Sequence, residues 1–425
     1  MKIIQLTPGA GAMYCGNCLR DNAMVASMRR AGHDAFMIPL YLPLTLDESD
    51  LSQDQPVFFS GINVYLEQVM PWMRHMPGWL HKALTSRRLL KMAAGKAAAT
   101  RPEQVGELTL SMLRGEEGNQ ARELDELVKY IQTVGKPDVI CLSNAMLIGM
   151  ARQLHEQVEV PVVCMLQGED DFLDALPARE SAMAWELIRE RSDCVAAFVA
   201  PTRYFASRMS ERLALPNERV HIIPNGIHPQ GFRQSSFQQP ATIGFFARMC
   251  KEKGLESIIR AFIILRQSGQ FDHVKLAVGG SCGPTDQVLV DAMTRELKSA
   301  GLLDSVSFHP NLTREEKQEF LSKLHVFSVP ASYSEAFGLY LLEAMAAGVP
   351  CVQPRASGFP EIIENDDAGW IYEPHTPEAL AEALTSALKN PEELKARGQN
   401  AHSALQNKFH IDNITHQYLE LFQTL

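Results

Sequence analysis

The feature that most constrains this chain is a long series of short apolar runs, each separated from the next by a stretch with helical periodicity. In the first half the runs fall at 2–7, 34–40, 138–143, 161–166, 195–201 and 220–224. In the second half they fall at 242–247, 275–280, 306–309, 326–330, 350–354 and 369–372. A run that is apolar at nearly every position, rather than at alternate ones, is covered on both faces, which is the setting of a parallel strand beneath helices. Two such series predict an α/β chain of two doubly wound, Rossmann-like parallel-sheet domains facing a cleft. The segment HPQGFRQSSFQQP at 228–240 has no periodicity and marks the join. The first domain is therefore expected at 1–230 and the second at 240–408. A C-terminal helix over 409–425 is free to return to the N-terminal domain.

Composition narrows the function. The 425 residues suit two cores. A net charge of -10 argues against a nucleic-acid protein, because phosphate backbones reward clustered cations. No apolar run is long enough for a membrane span. The start, MKIIQLTPGAG, reads as a strand entering a glycine turn rather than a leader, so a cytoplasmic location is expected. Cys141, Cys164, Cys194 and Cys351 sit in apolar runs and read as small core residues. Cys15 and Cys18 form a CxxC without a second ligand pair, which favours ordinary thiols over a metal or redox site.

The segment 44–133 interrupts the alternation with long helical stretches. Within it, Arg74, Lys82, Arg87, Arg88, Lys91, Lys96 and Arg101 lie between Glu67 and Glu103 with no acidic residue, together with Trp72 and Trp79. A basic stretch of this kind over 72–101 fits peripheral contact with an anionic membrane face, reception of an acidic acceptor, or a solvated helical insert.

The strongest local signal is the run SEAFGLYLLE. A loop after the 326–330 strand delivers Glu335, and a helix is expected to open at Phe337 or Gly338. Gly338 lets a ligand approach the backbone, and the first free N–H groups of a helix suit a phosphate. Glu343 follows in an apolar setting, LLEAMAAG, where an unsatisfied carboxylate is costly. On a continuous helix rising ~1.5 Å per residue the two carboxylates would be on the order of 10 Å apart. That is too wide for the paired carboxylates of a glycosidase, ~5–9.5 Å, and suits two contacts on one extended ligand.

This run resembles the E-x7-E motif of glycosyltransferase family 4, retaining enzymes of group-1 type with the GT-B fold. The family's next pattern, Gly-x-Pro-Glu, is matched by Gly358, Pro360 and Glu361. The segment GFFARMCKEKG resembles the family's GR-x4-KG, with Ala247 where glycine is usual. By position the resemblance makes Glu335, Arg248 and Lys253 catalytic, the last two as holders of the donor diphosphate. It assigns Glu343 to the donor ribose, with Ala336, Phe337, Gly338 and Leu339 lining the donor. Gly11 and Gly16, in the loop after the first strand, are further donor-side candidates. IPNGIH at 223–228 is a weak match that marks the domain junction.

One departure concerns the loop after the 161–166 strand. Relatives often carry a histidine there, whereas this chain reads Gln167-Gly168-Glu169-Asp170-Asp171. Gln167 would contact a sugar hydroxyl, and Glu169 or Asp170 would serve as an acceptor's base or as helix caps. The resemblance implies a hexosyl transfer from a nucleoside-diphosphate sugar to a glycan, lipid or small molecule, with no cofactor and no metal. The rivals are a non-catalytic sugar-nucleotide binder and a same-fold epimerase or phosphorylase.

Overall fold

The computed structural model describes residues 1–9, 16–44, 46, 48–53, 55–59 and 102–425. It divides into two compact units, Met1–Pro224 with Ile414–Leu425, and Asn225–Asn413. The polar segment 228–240 lies within the second unit. Its backbone is tied down there, with Ser235 N–H donating to Ala347 O at 2.7 Å and Ser235 Oγ donating to Leu324 O at 2.6 Å. The basic segment 72–101 lies outside the described residues, as do Gly11 and Cys15. No helix among the described residues is long and apolar enough to cross a membrane.

The first unit holds a six-stranded sheet in the order β2-β1-β3-β4-β5-β6. Its strands are β1 Lys2–Pro8, β2 Asp34–Leu40, β3 Val139–Leu142, β4 Val162–Met165, β5 Ala197–Ala200 and β6 Val220–Ile222. Every pairing is parallel. The central strands are wholly buried, as their apolar runs require. The C-terminal helix Ile411–Gln423 contributes Tyr418, Leu419 and Phe422 to the buried residues. A buried ion pair, Arg20–Asp21, sits beyond the carboxyl ends of β1 and β3. Asp21 accepts from Thr7 Oγ1 at 2.7 Å, and Arg20 donates to Ser143 O at 2.9 Å. Those neighbours satisfy charges that would be costly alone in the core.

The second unit holds another all-parallel six-stranded sheet, in the order β12-β11-β10-β7-β8-β9. Its strands are β7 Thr242–Phe246, β8 Lys275–Gly280, β9 Val306–Pro310, β10 Val326–Phe327, β11 Cys351–Pro354 and β12 Gly369–Tyr372. From β7 the chain winds outward to β9, then returns to β10 on the other side of β7. The order therefore reverses between β7 and β10. Doubly wound sheets open a crevice beyond the carboxyl ends of the strands at that place. The loops that leave β7 and β10 are the ones that carry Lys253 and Glu335.

Candidate functional site at the switch point of the second sheet

The two loops are fastened to each other by backbone. Ser332 N–H donates to Glu252 O at 2.8 Å. Gly254 adopts φ +81°, and a Cβ there would lie 2.1 Å from Pro330 O, so only glycine allows the approach. The helix after β7 runs Leu255–Gln267 with Gly254 as its N-cap. Lys253 therefore stands in the preceding turn.

That turn delivers the Lys253 ammonium to the Glu335 carboxylate. Lys253 Nζ donates to Glu335 Oε2 at 2.6 Å and also to Tyr333 Oη. Tyr333 Oη donates to the same oxygen at 2.6 Å, and Tyr340 Oη does so at 3.0 Å. The ammonium lies 4.7 Å from the Tyr333 ring centroid and 5.2 Å from that of Tyr340, within cation–π range. Burial, reinforced by the Glu335 charge, pushes the Tyr340 hydroxyl well above its ordinary value, so it remains a donor. All three donors meet Oε2. Among the described residues none donates to Oε1.

Glu335 is held from behind by the segment after β11. Its N–H donates to Ser357 Oγ at 3.1 Å, and its carbonyl accepts from Gly358 N–H at 3.3 Å. The Gly358-x-Pro360-Glu361 stretch thus has a structural task, with Pro360 and Glu361 in the short helix Phe359–Ile363.

The helix carrying Glu343 starts later than expected, at Leu339, and runs to Ala346. Gly338 caps it in the left-handed region, φ +93°. Glu335 lies before that glycine, so helical rise does not set its separation from Glu343. Ala336 and Phe337 are buried, with Phe337 packed edge-on against Phe409 at 6.1 Å. Their side chains are core, whereas Leu339 is partly exposed. Glu343 accepts from the buried Lys317 Nζ at 2.7 Å through Oε1.

Arg248 is gripped by Asp286, whose carboxylate receives Nε at 3.1 Å on both oxygens and Nη2 at 3.0 Å. The Asp286 hydrogen bond raises the Arg248 pKa above its ordinary value. Burial alone would raise that of Asp286, but Arg248 and the Gly283 N–H together hold it low. The guanidinium is 57% exposed, oriented by its carboxylate and open to an anion.

In the first unit the 167–171 loop departs from expectation. Glu169 is buried, its Oε2 accepting from Gln167 N–H at 2.6 Å and its Oε1 from Ala145 N–H at 3.3 Å. Asp170 is fully buried and paired with Arg208. Neither carboxylate is presented as a base. Glu169 ties the loops after β3 and β4 together, and Asp170 begins the short helix Asp170–Asp174. Gln167 remains partly exposed. Gly16 is exposed at the start of the helix Gly16–Arg30, and Cys18 in that helix is a buried thiol whose Sγ donates to Pro8 O at 3.2 Å. Sequence reasoning missed Tyr333, Tyr340, Lys317 and Asp286.

Two all-parallel six-stranded sheets, with Lys253 and Arg248 after β7 and Glu335 and Glu343 after β10 in the second, give the chain the GT-B fold. The family model for "Glycosyl transferases group 1" matches residues 230–404, and that for "Glycosyltransferase Family 4" matches 108–230. The two models together span residues 108–404. Among relatives, it is 32% identical to the exopolysaccharide phosphotransferase SCO2592 of Streptomyces coelicolor over 55% of this chain and 24% of the relative. It is 30% identical to the amylovoran biosynthesis glycosyltransferase AmsK of Erwinia amylovora, over 41% of this chain and 42% of the relative. With the N-acetyl-alpha-D-glucosaminyl L-malate synthase of Bacillus anthracis it shares 24% identity over 66% of this chain and 72% of that one. The chain thus spans less than half the length of the first two. Anabaena Alr3699/HepE, solved with UDP and glucose, has the same fold at TM-score 0.70 and 16% identity, with both chains covered in full. Sucrose-phosphate synthase from Thermosynechococcus elongatus matches at TM-score 0.73 and 17% identity, over 100% of this chain and 99% of that one.

Proposed function

We propose that this chain transfers a sugar, with retention, from a nucleoside-diphosphate sugar to a glycan, lipid or small-molecule acceptor. The observation that carries the reading is the Lys253–Glu335 pair at the switch point of the second sheet, 2.6 Å apart. Two of the three ammonium protons are engaged by Glu335 and Tyr333; the third is available to a diphosphate oxygen. Arg248 adds a guanidinium fixed by Asp286. Charge that grows on the departing diphosphate as the anomeric carbon–oxygen bond breaks is stabilised by such preset cations. Glu335 Oε1 receives a hydroxyl of the donor sugar, and Glu343 receives the ribose. Neighbours of the same fold were solved with UDP, with UDP and glucose, and with UDP-glucose. That supports a nucleotide-sugar donor here. The chemistry needs no metal or other cofactor, because the cations are side chains.

The test is turnover of UDP-glucose, UDP-N-acetylglucosamine, GDP-mannose and ADP-glucose, each with EDTA. Diphosphate release is followed together with the anomeric configuration of the first-formed sugar product. Release with retained configuration, lost in Glu335→Ala and Lys253→Ala, is expected. Inverted product overturns the retaining mechanism. Binding without turnover on the panel, in the presence of cell-extract acceptors, favours the non-catalytic binder, and a changed free sugar favours an epimerase.

A further inference from the structure

We propose that Tyr333 and Tyr340 are positioning residues that lock Glu335 in the rotamer by which it reads the donor sugar. The inference rests on the proposed function and goes further, assigning two residues that the motif does not contain. Three donors converge on a single oxygen: Lys253 Nζ at 2.6 Å, Tyr333 Oη at 2.6 Å and Tyr340 Oη at 3.0 Å. A carboxylate at the end of three rotatable side-chain bonds samples several orientations. Saturating Oε2 from three directions leaves it one, with Oε1 turned away from the clamp. The clamp is built from rigid parts. Each tyrosine places its hydroxyl at the end of a planar ring, and the Tyr340 ring is tilted against Phe327 with centroids 6.3 Å apart. It also lies against Gly338, where an added Cβ would be 3.1 Å from Tyr340 Cζ.

The phenols also solve a problem set by Lys253. An ammonium shared between a carboxylate and a diphosphate would be drawn toward the diphosphate once the donor binds. Were Lys253 the sole partner of Glu335, the carboxylate would lose its anchor at the moment it must hold the sugar. Two neutral hydroxyls do not follow the phosphate. They keep Oε2 in place while the lysine shifts, which separates the diphosphate contact from the sugar contact.

The test uses the full chain and four variants, Tyr333→Phe, Tyr340→Phe, the double variant and Glu335→Gln. Dissociation constants are measured by calorimetry for UDP and UDP-glucose, and for GDP and GDP-mannose, with turnover followed by diphosphate release. Thermal midpoints by circular dichroism report folding. Losing donors to a charged group predicts that the double variant binds the intact sugar nucleotide ~10-fold or more weakly, with kcat reduced. Diphosphate affinity stays within about twofold, since no diphosphate contact is removed. A merely structural role would weaken both ligands together. If the tyrosine variants keep the wild-type ratio of the two affinities while Glu335→Gln changes it, the positioning role is wrong and the proposed function stands. If Glu335→Gln also leaves the ratio unchanged, Glu335 does not touch the sugar and both readings fall. Either single variant gives the same discrimination if the double one does not fold.

Discussion

Gly254→Ala tests how the two loops of the site are held. Gly254 has φ +81°, and its added Cβ would stand 2.1 Å from the carbonyl oxygen of Pro330, which is backbone and cannot rotate aside. Left-handed conformation costs an alanine ~1–2 kcal/mol. Relieving the clash adds ~1–3 kcal/mol, the usual range for overpacking. The sum is ~2–5 kcal/mol. Gly269 supplies the control, with φ +72° and nothing within 4 Å of its added Cβ. Gly269→Ala pays only the conformational part, so the difference between the two variants isolates the clash. Because the clash pushes apart the loops that carry Lys253 and Glu335, it acts on the site as well as on stability. The assay is urea unfolding of wild type and both variants, with nucleoside-diphosphate affinity measured beside it. Gly254→Ala is expected to be the less stable by at least ~1 kcal/mol and to lose affinity that Gly269→Ala keeps. Equal stability and equal affinity in the two would refute the reasoning.

Two further predictions concern charge. Asp286→Asn keeps an acceptor for the Gly283 N–H but loses the ion pair with Arg248. Because Arg248 is 57% exposed, solvent screening limits the effect to ~1 kcal/mol, about a fivefold loss of diphosphate affinity by calorimetry. The depressed carboxyl makes the pair's contribution present above the ordinary carboxylate range and lost on acidification. Asp286→Asn should therefore converge on wild type at low pH. Glu169 has the opposite sign. Burial, only partly offset by its backbone hydrogen bonds, raises its carboxyl from 4.5 to about 7. Its contribution to stability is full below pH 4.5 and is lost as pH rises through about 7. Glu169→Gln imitates the protonated form, so thermal midpoints of wild type should fall relative to this variant between those pH values. A constant gap across that window would mean that Glu169 is not titrating in the fold.

Much of the architecture was legible because parallel strands are buried on both faces and leave continuous apolar runs. β3, β4 and β5 read plainly for that reason. The site was legible where its chemistry lies within one loop, as in the run from Glu335 to Gly338. It was not where partners are distant. Asp286 lies 38 residues from Arg248 and Lys317 lies 26 from Glu343. In REEKQEFLS, Lys317 looks like one more solvated charge, though its side chain is 4% exposed. Tyr340 reads as an apolar helix residue, since nothing local signals that its hydroxyl reaches back to Glu335. The helix start was misplaced because a left-handed glycine cap, Gly338, reads like an ordinary first residue. The QGEDD loop offers its acids as a base or as helix caps, but burial turns Glu169 and Asp170 inward to backbone N–H groups and to Arg208.

On the proposed function, Lys253 and Glu335 form a diphosphate site. Its most direct test is the thermal unfolding of wild type and Lys253→Ala with UDP, GDP, ADP and CMP, each in EDTA. A ligand that binds only the native state stabilises it by about 2.7 kcal/mol at a hundredfold excess over its dissociation constant. A clear upward shift in wild type with one nucleoside diphosphate, sharply reduced in Lys253→Ala, is predicted. No shift with any nucleotide, or an equal shift in both proteins, would contradict the account.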